Sequence, residues 1–267
     1  MKNAICLFDM DGTLTPPRKK AEFKIVRKLK ELAKFATVGI VTGSDYDYIM
    51  QQCDVLMEIG GIPLDRLELF PCNGTKHYTY SGSGYQLVWD ANMIEAIGRD
   101  NYNCLIQSLI GNQLTISCQH SLPYTGNFFQ YRGSMLNWCP IGRQAGDEER
   151  AAWCKADDEF DIREAYMKQI KSMIERKDMD VTVALGGSTS FDIYPKGWDK
   201  TYVLKHLEKF NNVYFVGDRC QEGGNDKALY DVLQKSRTSY ETHSVDMTIS
   251  LIDQIIGDIT GEGEKIA

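Results

Sequence analysis

The chain opens on Ala4-Ile5-Cys6-Leu7-Phe8, a continuous apolar run that stops at Asp9. A run this short, with no polar face, predicts a strand buried on both sides, as in a parallel sheet. Between Phe23 and Phe35 the apolar residues Ile25, Val26, Leu29, Leu32 and Ala33 recur at helical spacing among lysines. That pattern predicts an amphipathic helix. Val38-Gly39-Ile40-Val41 repeats the buried-strand pattern and closes on Thr42-Gly43-Ser44-Asp45. Strand, helix, strand in this order is a βαβ unit, the building block of an open α/β sheet whose binding loops lie at the strand C-termini.

The middle of the chain has a different rhythm. Within Lys76–Trp89, Ser81-Gly82-Ser83-Gly84 lies between aromatic-rich segments and predicts a hairpin or a crossing into another domain. A helix is expected from Met93 to about Leu109, then short strands at Leu114–Gln119, Asn127–Tyr131 and Met135–Pro140, then helices over Asp147–Ala156 and Asp161–Arg176. Strands grouped beside helices read as an α+β module. It is placed at residues 84–185. The α/β pattern then returns: Phe191-Asp192-Ile193-Tyr194 as a strand, a helix from near Trp198 carrying Val203, Leu204 and Leu207, the strand Val213–Val216 ending in Gly217-Asp218, and a closing amphipathic helix over Val245–Ile259. The expected organisation is an α/β parallel-sheet core, residues 1–83 and 186–267, split by one inserted module.

Composition fits this plan. A chain of 267 residues suits one domain with an insertion or two modest domains, and 43% apolar with 25% charged residues is ordinary for a globular protein. The formal net charge of -7 argues against a nucleic-acid partner, so positive charge for an anionic substrate has to be concentrated locally. The eight cysteines are scattered singly, without zinc spacing, and predict reduced thiols. The four histidines, His77, His120, His206 and His243, are equally dispersed and none is favoured as catalytic. Met1-Lys2-Asn3 runs straight into the first apolar segment, without the charged region, apolar stretch and cleavage site of a secretory leader. With no apolar run long enough to span a bilayer, a cytoplasmic protein without membrane partners is expected.

The chemistry sits where strands stop. Asp9-Met10-Asp11-Gly12-Thr13 places two carboxylates two residues apart directly after a buried strand, with a glycine for the turn. One carboxylate can attack phosphorus while the other handles the proton of a hydroxyl. An EF-hand calcium loop fails on position, because its invariant glycine would fall at Leu14 and its bidentate acid at Lys20. Gly217-Asp218 and Gly223-Gly224-Asn225-Asp226 add two acids after another strand. Hard Mg²⁺ suits such oxygens, with Asp9, the Asp11 carbonyl and Asp218 as the natural set and Asp226 beside them. Thr42 and Ser44 offer hydroxyls and backbone N–H groups to a phosphate, although helix capping is the commoner role of a residue like Ser44. Lys200, after Gly197-Trp198-Asp199, can neutralise a transferring phosphoryl group, whereas a lone lysine is more often a surface residue.

The order of these motifs resembles the haloacid-dehalogenase-like phosphotransferases. Longer strings are similar to the eukaryotic-type phosphomannomutase family: Leu7 to Thr15, Arg132-Gly133-Ser134-Met135-Leu136-Asn137, Pro140-Ile141-Gly142-Arg143, Gly186-Gly187, Ser190-Phe191-Asp192, Gly197-Trp198-Asp199-Lys200 and Gly223 to Asp226. The resemblance implies a Rossmannoid core with an inserted α+β cap. It makes Asp9 the phosphorylated nucleophile, Asp11 the general acid/base, Lys200 a phosphoryl-stabilising cation and Asp218 a magnesium ligand. Arg18, Arg132, Arg143, Arg150, Ser190 and Asp192 would hold the sugar phosphate, the arginines because a planar guanidinium forks onto phosphate oxygens. Surface salt bridging is the competing reading, above all for Arg150 beside Glu148-Glu149. Thr42 departs from the family, which usually has glycine there, and Lys227–Gln234 lacks its Phe-x-Asp-x-x-Thr pattern for a further cation.

The family further implies mannose or glucose phosphates as substrates, a hexose 1,6-bisphosphate activator, supply of mannose 1-phosphate for GDP-mannose, and a homodimer through the cap. A sugar-phosphate phosphatase would use the same Asp9, Asp11, Lys200 and Asp218, and phosphoglucomutase activity differs by one epimeric hydroxyl. A non-catalytic phosphosugar-binding module would have lost an acidic motif.

Overall fold

Side-chain alternation within the first strand sets the layering: Ala4, Cys6 and Phe8 enter one apolar core and Ile5 and Leu7 the other. A computed structural model of the chain describes residues 3–58 and 60–261, so Met1 and Lys2 of the opening segment lie outside the described residues. It divides into a core unit, up to Asp90 and again from Asp199, and an inserted unit, Ala91–Trp198.

In chain order the core unit supplies β1 (Ala4–Phe8), α1 (Phe23–Leu32), β2 (Thr37–Val41), α2 (Tyr46–Met57), β3 (Leu67–Phe70), β4 (Lys76–Tyr80) and β5 (Tyr85–Asp90). The inserted unit follows with α3 (Met93–Ile97), α4 (Arg99–Gln119), β6 (Phe129–Tyr131), β7 (Leu136–Trp138), α5 (Asp147–Phe160), α6 (Ile162–Arg176), β8 (Val181–Gly186) and β9 (Ser190–Pro195). The chain then returns to the core unit for a 3₁₀ segment, Lys200–His206, and for β10 (Asn212–Gly217), α7 (Lys227–Gln234), β11 (Ser239–Glu241) and α8 (Val245–Thr260). No helix among the described residues is long and apolar enough to cross a membrane.

The core sheet has the order β11-β10-β1-β2-β3-β4-β5. Its first five strands are parallel, and β4 and β5 add an antiparallel hairpin at the edge. α1 buries Ile25, Val26, Leu29 and Leu32 on one side of the sheet with α2 and α8. Its lysine-rich remainder faces water, as the periodicity predicts. On the other side Phe70, Val203, Phe215 and Leu229 pack together. His77 and His206, dispersed in sequence, meet here with ring centroids 5.0 Å apart.

The inserted unit has a four-stranded antiparallel sheet, β6-β7-β9-β8, with α3 to α6 packed against it around Trp138, Trp153 and Phe191. The Trp138 and Phe191 rings stack at 4.7 Å. Three expectations change. Leu114–Gln119 is not a strand but the last turns of α4, which buries Leu105, Leu109 and Ile116 while Leu114 stays 65% exposed. Phe191–Tyr194 belongs to the antiparallel sheet, between β7 and β8, and not to the parallel core. The helix after Trp198 is the 3₁₀ segment. The chain therefore changes unit at Asp90/Ala91 and Trp198/Asp199, where the sequence reading puts the changes at residues 84 and 186. Short strands of either sheet carry the same apolar runs, and only their pairing partners tell them apart.

Candidate active site

β1 and β10 lie side by side in the parallel sheet, and both end in acids. The ladder extends one residue past β1, where the Asp9 N–H donates to the Val216 carbonyl at 2.9 Å, so Asp9 is held at the sheet's edge and only 5% exposed. The next residues fold back tightly, with the Leu14 and Thr15 N–H groups both donating to the Met10 carbonyl. Gly12 lies in this turn at φ +89°, and a Cβ there would meet Asp218 Cγ at 2.7 Å. Only glycine permits both the backbone conformation and that approach. Gly12→Ala is expected to lower the unfolding free energy by about 1–3 kcal/mol, read by urea denaturation. A loss under about 0.5 kcal/mol would mean that Asp218 moves aside freely.

Lys200 is wholly buried, and its ammonium donates to both Asp9 and Asp226. Asp226 is equally buried, and its other oxygen accepts from the Asp218 and Arg219 N–H groups at 3.1 and 3.0 Å. Asp226 thus fixes the lysine and the turn after β10 together. Burial raises the Asp9 pKa well above the usual carboxylate range, with Lys200 opposing and Asp226 and Asp218 reinforcing the rise. Asp218 is pushed up to about 6, by burial first and Asp226 second. Burial works against the Lys200 charge, but Asp226 and Asp9 outweigh it and keep the lysine protonated. One ammonium among three carboxylates leaves a charge excess that a proton or a metal cation has to meet.

The donor set fits a hard divalent cation. Asp9, Asp218 and Asp226 each bring a carboxylate oxygen to within 4.8 Å of the others, and Asp218 Oδ1 is buried without a hydrogen-bond partner. The Asp11 carboxylate stands outside this cluster: its Oδ1 accepts from the Arg18 N–H at 2.7 Å and the Tyr48 hydroxyl at 3.3 Å. Arg18 is held by its backbone, at φ +61°, with its side chain exposed. Thr42 Oγ1 accepts from the Ser44 N–H at 3.2 Å. The cap of α2 is Asp45, which accepts from the Tyr48 N–H, so helix capping falls one residue beyond Ser44.

The inserted unit carries a second polar assembly. Asn137 on β7 lies directly opposite Asp192 on β9 and its side-chain amide donates to the Asp192 carboxylate at 2.7 Å, while Arg143 Nη1 donates to the Asn137 side-chain Oδ1 at 2.8 Å. Ser190, two residues before Asp192 and so on the same face, donates to the Gly186 carbonyl at 2.9 Å. Arg132 is buried, with one nitrogen against Met135 Sδ. Arg150 donates to the Thr189 and Ser188 hydroxyls at 3.0 and 2.9 Å, while Glu149 accepts from the Gly146 N–H. The structure thus groups Asp9, Lys200, Asp218 and Asp226 in the core unit, and Arg143 with Asp192 in the inserted one. Tyr48, Asn137, Ser188 and Thr189 are additions to the residues singled out from sequence. Asn137 had a signal, a polar residue in an otherwise apolar strand.

Comparison with known proteins gives the class first. The fold is haloacid-dehalogenase-like: the chain is similar to the IMP-nucleotidase of Plasmodium falciparum (TM-score 0.68, 12% identity, 96% of this chain and 67% of that one). It is also similar to a trehalose-6-phosphate phosphatase related protein (TM-score 0.53, 14% identity, 98% and 100%). The family profile for eukaryotic phosphomannomutase matches residues 25–257. A phosphomannomutase of Drosophila melanogaster is 36% identical, covering 85% of each chain, and one of Saccharomyces cerevisiae is 34% identical, covering 94% of this chain and 93% of its own. The chain belongs to the eukaryotic phosphomannomutase family.

Proposed function

We propose that the protein interconverts mannose 6-phosphate and mannose 1-phosphate through a phosphorylated Asp9 and a hexose 1,6-bisphosphate. The observation that carries this is family membership together with two separate polar assemblies in one chain: the Asp9–Lys200 cluster and the Arg143–Asn137–Asp192 group of the inserted unit. Hydrolysis needs only the first. A mutase has also to hold one phosphate of a bisphosphate while the other is transferred.

In this reading an Asp9 carboxylate oxygen attacks phosphorus and the ester bond to the sugar oxygen breaks. Asp11 gives that oxygen its proton and takes one back on the return transfer. The Asp11 Oδ1 contacts with the Arg18 N–H and Tyr48 leave Oδ2 for the sugar hydroxyl. Lys200 offsets charge at Asp9 and at the phosphoryl oxygens. Mg²⁺, held by Asp9, Asp218 and the Asp11 carbonyl with Asp226 behind them, would draw negative charge from the transferring group. Thr42 and Ser44 would take phosphoryl oxygens. Arg18, Arg132, Arg143, Arg150, Ser190 and Asp192 would bind the sugar and its distal phosphate. Family membership supports the remaining parts of the proposal: supply of mannose 1-phosphate for GDP-mannose, a cytoplasmic location and a homodimer through the inserted unit.

The test uses the purified chain with Mg²⁺, mannose 1-phosphate and glucose 1,6-bisphosphate. Isomerised sugar phosphate is expected to exceed released inorganic phosphate by roughly tenfold or more, about 1.4 kcal/mol in barrier. Mainly free phosphate would make the protein a sugar-phosphate phosphatase. Faster turnover of glucose 1-phosphate than of mannose 1-phosphate would make it a phosphoglucomutase.

A further inference from the structure

The turn between β8 and β9, Gly187-Ser188-Thr189, precedes Ser190 and Asp192 and supplies both hydroxyls that Arg150 holds. Two helices grip it. From α5, Arg150 reaches the hydroxyls and Cys154 Sγ donates to the Ser188 carbonyl at 3.7 Å. From α6, Arg163 Nη1 donates to the Gly187 carbonyl at 2.9 Å. Arg163 is itself held by Asp157, one turn before the end of α5: one carboxylate oxygen accepts from the Arg163 N–H at 2.7 Å and the other from Nε at 2.5 Å. Asp157 is only 8% exposed and Arg163 is partly buried, so this pair is better shielded from solvent and more firmly held than the exposed Lys168–Glu164 pair on α6. The helices meet at Asp161, at φ +50°, and Asp157 spans that junction. Gly187 lies at φ +58°, and a Cβ on Gly186 would meet Asp192 Cγ at 2.9 Å, so the turn has little room to shift independently of Asp192.

We infer that Arg163, locked by Asp157, is a positioning residue: by holding the Gly187 carbonyl it sets the β8–β9 turn, and through Ser188 and Thr189 it sets the fork of Arg150 for a sugar phosphate. The inference rests on the substrate role proposed for Arg150. No element of regular structure requires the Arg163 fork to end on an exposed loop carbonyl. A stabilising ion pair would be complete with Asp157 alone. The third bond of Arg163 ties the junction of two helices to the turn whose hydroxyls face Arg150. A guanidinium suits this because its planar donors diverge, Nε to the carboxylate and Nη1 to the carbonyl, where a lysine offers one nitrogen.

The experiment measures kcat and KM for mannose 1-phosphate, with Mg²⁺ and saturating glucose 1,6-bisphosphate, in the full chain and in Arg150→Ala, Arg163→Ala, Arg163→Lys and the Arg150→Ala/Arg163→Ala double variant. Arg163→Ala is expected to raise KM about tenfold with kcat within about threefold, the scale of a misplaced binding group. Arg163→Lys keeps a charge for Asp157 and is expected to lose nearly as much, because it cannot also reach Gly187. The double variant is expected to match Arg150→Ala alone, since a residue acting through another adds nothing once that other is gone. KM effects that multiply in the double variant, or an Arg163→Lys variant that behaves like the parent, would overturn the inference. If Arg163→Ala does not fold, Arg163→Lys on the two Arg150 backgrounds gives the same cycle. An unchanged KM in Arg150→Ala would overturn the Arg150 role itself, and is read separately from any effect at Arg163.

Discussion

Asp9→Asn is expected to fold and to lose turnover by a factor on the order of 10⁴ or more, because a carboxamide cannot form the acyl phosphate. The substitution is nearly isosteric. Asp226 remains as a partner for Lys200, and the excess of buried negative charge falls by one, so thermal unfolding is expected to shift by only a few degrees. Intact-mass measurement after incubation with glucose 1,6-bisphosphate gives the direct readout. The parent should show a phosphate adduct and the variant none. Turnover like the parent's, or an adduct on the variant, would move the nucleophile elsewhere.

Lys200→Met should cost more in stability than any other single change in the site, about 3–5 kcal/mol, because it leaves Asp9 and Asp226 buried side by side without their cation. Its pH dependence is the stronger test. Burial already raises the Asp9 carboxyl and Lys200 opposes that rise, so without the ammonium Asp9 binds its proton more tightly when folded than unfolded and stability falls as pH rises through the folded value. The deficit against the parent should therefore be smaller at pH 5 than at pH 8 in chemical denaturation. Adding Asp226→Asn should recover part of the loss. A deficit independent of pH would mean that packing, and not charge, makes Lys200 indispensable.

Strand-terminal chemistry was legible in the sequence because a short apolar run ending in an acid has one physical reading: the strand is covered on both faces and its acid emerges at the sheet's edge. Asp9 and Asp218 were found that way. What Asp226 does was not legible. Its place after Gly223-Gly224 suggested a metal ligand on a flexible turn, yet it also anchors Lys200 and two backbone N–H groups, and no spacing encodes a partner 26 residues away. Phe191–Tyr194 pairs with β7 and β8 and not in the expected parallel core, because an apolar strand does not state which edge it pairs with. Leu114–Gln119, expected as a short strand, is instead carried by α4, which continues through it and buries Ile116. Asp157 and Arg163 gave no signal, since acids and bases are scattered along both helices and only the fold selects this pair.

The interrupted core also fixes the order in which the protein can become active during synthesis. β1 emerges before the inserted unit, yet its neighbour β10 begins at Asn212, and the whole contiguous inserted unit is made before β10 exists. Closing a loop of that length is slow compared with forming the local contacts of the inserted unit, which is therefore expected to fold earlier on the ribosome. Until then Asp9 has neither its lysine nor the two acids that follow β10. A nascent chain exposes the Asp9 carboxylate without these neighbours, and gains them only once β10 has paired with β1.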